Sequence, residues 1–310
     1  MSGRVSGPVT RLGVNVPNFG PTASPDNLLA WARFAEDAGF AIAMMSDHVA
    51  PTPDVAALYP DPFYDPFTTL SWLAGLTDSI ELGTTVAVLP YRHPLLTARA
   101  AANIDRFSGG RFVLGVGVGW SEPEYTALGV PFRDRGRITD EYLAAIIDAW
   151  TSPRVSLDGH HARYHEVSTG PRAVRAPHPP VWVGGSSPAG VRRAARFGDA
   201  WHPINPDLDW LRDTGLPALR AAARAAGRAQ PALAARIRAR LSPRDLPPAG
   251  RPTGVGSLAQ VHDDLARLAE MGAAYVVLDT NPDDPADRRS ADEDWDTLRT
   301  IVERAPVTAT

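Results

Sequence analysis

Asp47 and His48 stand side by side where the apolar run "AIAMM" ends, and Pro51 follows. An acid beside an imidazole is a proton-transfer pair in kind. Imidazole titrates near neutrality, and a neighbouring carboxylate can orient it. The plainer alternative is that Asp47 caps the next segment and His48 packs under a loop. Other polar residues also sit at the ends of apolar runs: Thr84-Thr85, Trp201-His202 and Asp279-Thr280-Asn281. "GVGVGW", Gly115 to Trp120, has alternating glycines that let a flat ligand approach the backbone. It departs from the dinucleotide fingerprint G-x-G-x-x-G because its third glycine comes one residue early. Its plainer reading is a tight barrel turn. In "VGGSSPAG", Gly184 and Gly185 end an apolar run, and Ser186 and Ser187 lead into a helix with Pro188 near its start. Free N–H groups, two hydroxyls and a positive helix end suit a phosphate. A simple serine N-cap is the alternative.

Other polar clusters carry less. His160, His161 and His165 lie around Asp158-Gly159, a hairpin signal, and read as a solvated hairpin rather than a metal site. Arg236, Arg238 and Arg240 alternate and so share one face of a strand. They read as a solvated or paired row; a face that meets an anionic ligand at the mouth is the alternative. Arg220, Arg224 and Arg228 read as an exposed helix face. The chain has no cysteine, which excludes thiolate catalysis and cysteine metal sites. No metal is expected.

These residues need a scaffold that brings strand ends together. Eight apolar runs read as strands: "RLGVNV", "AIAMM", "IELGTTVAVL", "RFVLGVGV", "PVWVGG", "DAWHPI", "ARIRARLS" and "AYVVLDT". Helical stretches lie between them. Ser24 and Pro25 start the first, Leu28, Trp31, Ala32 and Ala35 form its stripe, and Gly39 stops it. Asp65-Pro66 opens the second. Leu143, Ile146, Ile147 and Trp150 mark another stripe, and Leu258, Val261, Leu265 and Leu268 the last. Strands apolar on both faces that alternate with helices predict a parallel sheet. Eight such units in 310 residues predict a closed (β/α)8 TIM barrel. An open doubly wound sheet is the alternative. We read residues 1–310 as one domain with an insertion at about 151–178, between units four and five. In such a barrel the active site lies at the strand C-termini, so Asp47 and His48 are expected at the mouth.

Bulk properties narrow the partners. A net charge of −4 gives no electrostatic footprint for nucleic acid or a membrane surface. "MSGRVSGPVTR" lacks an apolar leader core, and no run is long enough to span a bilayer. A cytoplasmic protein acting on a small organic molecule is expected.

"SDHV", the stretch "DPFTTLSWLAGLTDSIELGTTVAVLPYRHPLLTARAAANIDRFSGGRFVLGVGVGW" and "PPVWVGGSSPAGVRRAARFGDAWHP" resemble the bacterial luciferase-like superfamily. They most resemble its coenzyme F420-dependent oxidoreductases of actinobacteria. The resemblance implies a barrel with the cofactor, F420 or alternatively FMN, at the strand C-termini. It also implies hydride transfer, or in the FMN case monooxygenation with a separately reduced flavin and O2. A homodimer and a separate enzyme that reduces the cofactor go with it. By resemblance, Asp47 and His48 form the pair beside the ring. Thr85 and Val86 form a strand-three bulge with a non-proline cis peptide behind it. Gly117, Val118 and Gly119 lie along the cofactor, and Gly184, Gly185 and Ser186 hold its phosphate, with Ser187 next to them. One departure stands out: some deazaflavin dehydrogenases have a glutamate where this chain has Trp120. Glu122 and Glu124 follow, but the resemblance gives neither the role of the acid.

Overall fold

The computed structural model describes residues 9–304, so most of the N-terminal stretch expected to lack an apolar leader lies outside the described residues. Each of the eight apolar runs forms a strand. They are β1 (Arg11–Asn15), β2 (Ile42–Met45), β3 (Glu81–Thr84) with its continuation β4 (Ala87–Val88), β5 (Phe112–Gly117), β8 (Val181–Gly184), β9 (Ala200–His202), β10 (Ala232–Arg238) and β13 (Ala273–Asp279). All their pairings are parallel, in the order β3-β2-β1-β13-β10-β9-β8-β5-β4, and a β3–β5 pairing closes the ring. This is the expected TIM-like barrel of eight strands.

Both strand faces are buried, which is why the runs read as continuously apolar. Ile42, Met44, Val113, Trp182, Ala234 and Val277 fill the barrel interior. Their neighbours, among them Ala43, Met45, Leu114 and Val183, face the helical layer. Burying one such Leu, Ile or Val contributes roughly 1.5–3 kcal/mol.

The surrounding helices start where capping chemistry places them. α1 (Pro25–Asp37) is capped by the Ser24 hydroxyl, which accepts from the Asn27 N–H, and Leu28, Trp31, Ala32 and Ala35 are buried. A one-turn α2 (Pro53–Ala56) was not expected; it precedes α3 (Pro66–Ala74), capped by Asp65 as the sequence suggests. α4 (Pro94–Phe107) and the short α5 (Glu122–Ala127) flank β5. α6 (Arg135–Thr151) buries Leu143, Ile146 and Trp150, whereas Ile147 is only half-buried. The excursion is the expected antiparallel hairpin, β6 (Arg154–Asp158) and β7 (Arg163–Ser168). Arg99 of α4 ties it down by donating to the Ser168 and Gly170 carbonyls.

The remaining elements are α7 (Pro188–Phe197), the one-turn α8 (Leu208–Trp210), α9 (Leu216–Ala225), a short parallel pair β11 (Arg240–Leu241) and β12 (Val255–Gly256), α10 (Leu258–Glu270) and α11 (Ala291–Glu303). Among the described residues no helix is long and apolar enough to cross a membrane.

Candidate active site

A cavity of about 300 Å3 opens at the strand C-termini, lined by Asp47, His48, Thr85, Val86, Gly117, Val118, Gly119, Gly184 and Gly185. Residues from four strand ends, those of β2, β3, β5 and β8, therefore meet although they are distant in sequence. Ser186 and Ser187 follow Gly185 but are exposed and do not line the cavity. The Ser187 hydroxyl accepts from the Gly190 N–H at 3.1 Å as the N-cap of α7. Ser186 remains the open hydroxyl at that helix end.

His48 is held by Glu124, a residue to which the family resemblance assigns no role. Its Nδ1 lies 2.6 Å from Glu124 Oε2, which also accepts from the Tyr91 hydroxyl at 2.9 Å. Glu124 Oε1 accepts from the Val49 and Ala50 N–H groups at 2.8 and 3.0 Å. The carboxylate is fully buried, at 0% exposure. Burial alone pushes its pKa up, but the His48 hydrogen bond and charge, with the two N–H groups, outweigh this and hold it below its ordinary value. An ionised Glu124 accepts only, so His48 carries its proton on Nδ1 and presents Nε2 to the cavity. Tyr59 stacks on the imidazole at 5.4 Å, and Phe63 and Trp120 meet it edge-on at 5.5 and 5.8 Å.

A faint signal for Glu124 exists in the sequence. Ser121 and Glu124 have capping-box spacing. The Ser121 hydroxyl does accept from the Glu124 N–H at 3.1 Å. The Glu124 side chain, however, crosses to the loop after β2 instead of returning to its own N-cap.

Asp47 has a different part. Its Oδ2 accepts from the Val88 N–H at 2.9 Å and from Arg92 Nη1 at 2.7 Å, and its Oδ1 accepts from Arg92 Nη2 at 2.9 Å. Both oxygens are occupied, so Asp47 ties the end of β2 to β4 and to Arg92, which lies just before α4 and itself reaches Asp65.

The Thr85–Val86 peptide is cis, as the resemblance implied. Arg236 Nη1 donates to the Thr85 carbonyl at 2.7 Å, and His202 Nε2 lies 2.9 Å from the Thr85 hydroxyl. Burial brings the His202 pKa down to about 4, against the Ala234 carbonyl and with help from the Arg236 charge. His202 is therefore neutral, with Nδ1–H donating to the Ala234 carbonyl and Nε2 accepting from Thr85. Behind Arg236, Asp279 Oδ2 accepts from its Nη2 at 2.6 Å, and Asn15 donates to Oδ1 at 3.0 Å. Burial pushes the Asp279 carboxyl up, but Arg236 and Arg238 more than offset it and lower its pKa.

The three arginines are paired, as one of the expected readings has it: Arg236 and Arg238 through Asp279, and Arg240, which leaves their strand, with Asp287. Arg236 is also buried and lines the cavity. The glycines of "GVGVG" make room first for their own neighbour strand. A Cβ at Gly115 would run into the Thr84 carbonyl, and one at Gly117 would lie 2.5 Å from Val86 Cγ2. In the hairpin, Glu141 accepts the backbone N–H groups of His160, His161 and Ala162.

The sequence model for luciferase-like monooxygenases matches residues 10–247. The chain belongs to that family. The luciferase-like barrel is 32% identical over 278 residues to an uncharacterized protein of Mycobacterium tuberculosis, covering 84% of this chain and 89% of the relative. It is 33% identical over 208 residues to an F420-dependent hydroxymycolic acid dehydrogenase of the same organism, covering 66% and 55%. It is 29% identical over 177 residues to an FMNH2-dependent dimethylsulfone monooxygenase of Pseudomonas putida, covering 56% and 47%. Two solved structures share the fold. The monooxygenase RslO1 from Streptomyces bottropensis has a TM-score of 0.77 at 22% identity, covering 95% and 98%. An F420-dependent secondary alcohol dehydrogenase has a TM-score of 0.78 at 17% identity, covering 95% and 98%. A flavin-type cofactor, F420 or FMN, is typical of the named relatives of this luciferase-like oxidoreductase.

Proposed function

We propose that the protein is a coenzyme F420-dependent oxidoreductase that moves a hydride between the deazaflavin and a small organic substrate. The observation that carries the reading is His48 at the cavity, its Nδ1 held by the buried Glu124 carboxylate. That arrangement leaves Nε2 to take or give a proton at a substrate oxygen. The residues suit a flat ring. Val86, Val88, Val118 and Ile204 supply apolar walls, and the glycines at 117, 119, 184 and 185 leave backbone without side chains. Gly185 has a φ of 98°, and nothing but the Gly190 Cα, at 3.9 Å, lies near where its Cβ would stand. The exposed Ser186 and the start of α7 are suited to the cofactor phosphate.

When bound, the deazaflavin supplies the hydride chemistry. His48 moves the accompanying proton, and Glu124 fixes its tautomer and balances its charge. Asp47 and Arg92 hold the end of β2 in place, and the Tyr59, Phe63 and Trp120 rings keep water from the imidazole. A homodimer and a separate enzyme that reduces the cofactor complete the proposal. FMN is the second reading, favoured by the FMNH2-dependent relative.

Titration of the purified protein with each cofactor separates the two. Micromolar or tighter binding of F420, with markedly weaker FMN, is expected. Equal or tighter FMN binding with oxygen consumption would overturn the F420 reading. His48→Ala should lower turnover roughly 10²–10⁴-fold with little change in cofactor affinity.

A further inference from the structure

A second cavity, of about 400 Å3, lies over the C-terminal ends of β1 and β13, at the same end of the barrel. Two rings separate it from His48. Tyr59, which stacks on His48, meets Phe19 edge-on at 5.0 Å, and Phe19 belongs to the wall of the second cavity.

Its polar lining is underused by the fold. Asp294 is only 9% exposed, and its carboxylate receives a single hydrogen bond, from the Thr280 hydroxyl to Oδ2 at 2.9 Å. Among the described residues no donor reaches Oδ1 and no cation pairs with the group. Asn281 is 8% exposed. Its backbone N–H donates to Asp279 and its carbonyl accepts from Arg238, yet among the described residues its side-chain amide has no partner. Neither the free carboxylate oxygen nor the amide is sealed from the cavity, so each keeps open hydrogen-bonding capacity there. Both residues line the cavity.

The lining also narrows the ligand. Arg288 and Arg289 stand in the same wall as Asp294, so an isolated cation meets two guanidinium groups and an isolated anion meets a carboxylate. Arg288 is held in place by donating to the Leu58 carbonyl at 2.7 Å. Phe19, Trp31 and five prolines supply apolar surface. A neutral ring bearing several hydroxyls answers all three features. Its C–H edges suit the apolar wall, and its O–H groups suit Asp294 and Asn281.

We propose that this cavity holds the hydroxyl-bearing, non-reacting portion of the substrate, with Asp294 Oδ1 accepting from one hydroxyl and the Asn281 amide bonding another. The inference rests on the reading of the adjacent mouth as a redox site, and it names the substrate class as neutral and polyhydroxylated. Tyr59 and Phe19 form the partition between the reacting and the recognition ends.

The test is saturation-transfer NMR on the full chain without cofactor, with myo-inositol and cyclohexanol as probes. Inositol should bind at about millimolar affinity, at least about tenfold tighter than cyclohexanol. Asp294→Leu should weaken it about tenfold, and Asn281→Ala severalfold. Asp294→Asn, which keeps an acceptor oxygen, should stay within about threefold. If Asp294→Leu does not fold, Asn281→Ala decides. Inositol binding no tighter than cyclohexanol, or binding indifferent to Asn281→Ala and Asp294→Leu, overturns the proposal. Separate titrations with F420 and FMN keep the two ideas apart. Inositol binding without either cofactor would refute the redox reading alone, and cofactor binding without inositol would refute this one alone.

Discussion

Replacing Glu124 by glutamine removes one charge and keeps the shape of the side chain. In the wild type one oxygen accepts from His48 Nδ1 at 2.6 Å and Tyr91 at 2.9 Å, and the other from two backbone N–H groups. The backbone N–H groups cannot change roles, so the amide oxygen of the variant stays with them. Its NH2 then faces His48 Nδ1, which must become an acceptor. The ring proton moves to Nε2, and the cavity sees a donor where it had an acceptor. In serine proteases the comparable Asp→Asn change lowers kcat by about 10⁴ through the wrong tautomer. For Glu124→Gln a loss of roughly 10²–10⁴ is expected. The assay is single-turnover reduction or oxidation of the bound cofactor by absorbance across pH 5–9, with imidazole nitrogen shifts reporting the tautomer. Stability has its own signature. The folded pKa of Glu124 lies below its ordinary value of 4.5. Its contribution is therefore present above that ordinary value and disappears as pH falls through the folded one. Between neutral and acid pH the wild type should lose more stability than the glutamine variant. Turnover within threefold of wild type, with Nδ1–H retained, would refute the reasoning.

Asp294 should behave in the opposite sense to Glu124. Burial raises its pKa from 3.8 to about 6, so its contribution is present at low pH and lost as pH rises through about 6; Asp294→Asn should stabilise by at most roughly 2–3 kcal/mol at pH 8 and by little at pH 3 in urea melts. Arg236→Met strips Asp279 of its closest cation and leaves the Thr85 carbonyl without its Nη1 donor. A loss of about 3–5 kcal/mol is expected, and a change under ~1 kcal/mol would show that Arg238 and Asn15 suffice. Gly117→Ala pushes a methyl group toward Val86 Cγ2. It should cost about 1–3 kcal/mol and weaken cofactor binding, whereas unchanged binding by fluorescence titration would mean the bulge yields freely.

Local chemistry made much of this molecule legible in its sequence. Ser24-Pro25 and Asp65-Pro66 start helices because capping needs only a side-chain acceptor and a proline within one turn. Eight doubly apolar runs alternating with helical stripes leave a closed parallel barrel as their natural burial, and the barrel places strand ends such as His48, Thr85 and Gly184 at one mouth. Tertiary structure alone decided what each polar strand end does. Asp47 and His48 are adjacent in sequence, yet one is consumed by Arg92 and Val88 and the other is bound by Glu124, 76 residues away. Arg236, from a row expected to be solvated or paired, becomes a buried cavity wall because Asp279 on the neighbouring strand holds it there. Hydrogen-bond partners in a low-dielectric interior are set by which groups folding brings within about 3 Å, and that distance has no counterpart in residue spacing along the chain.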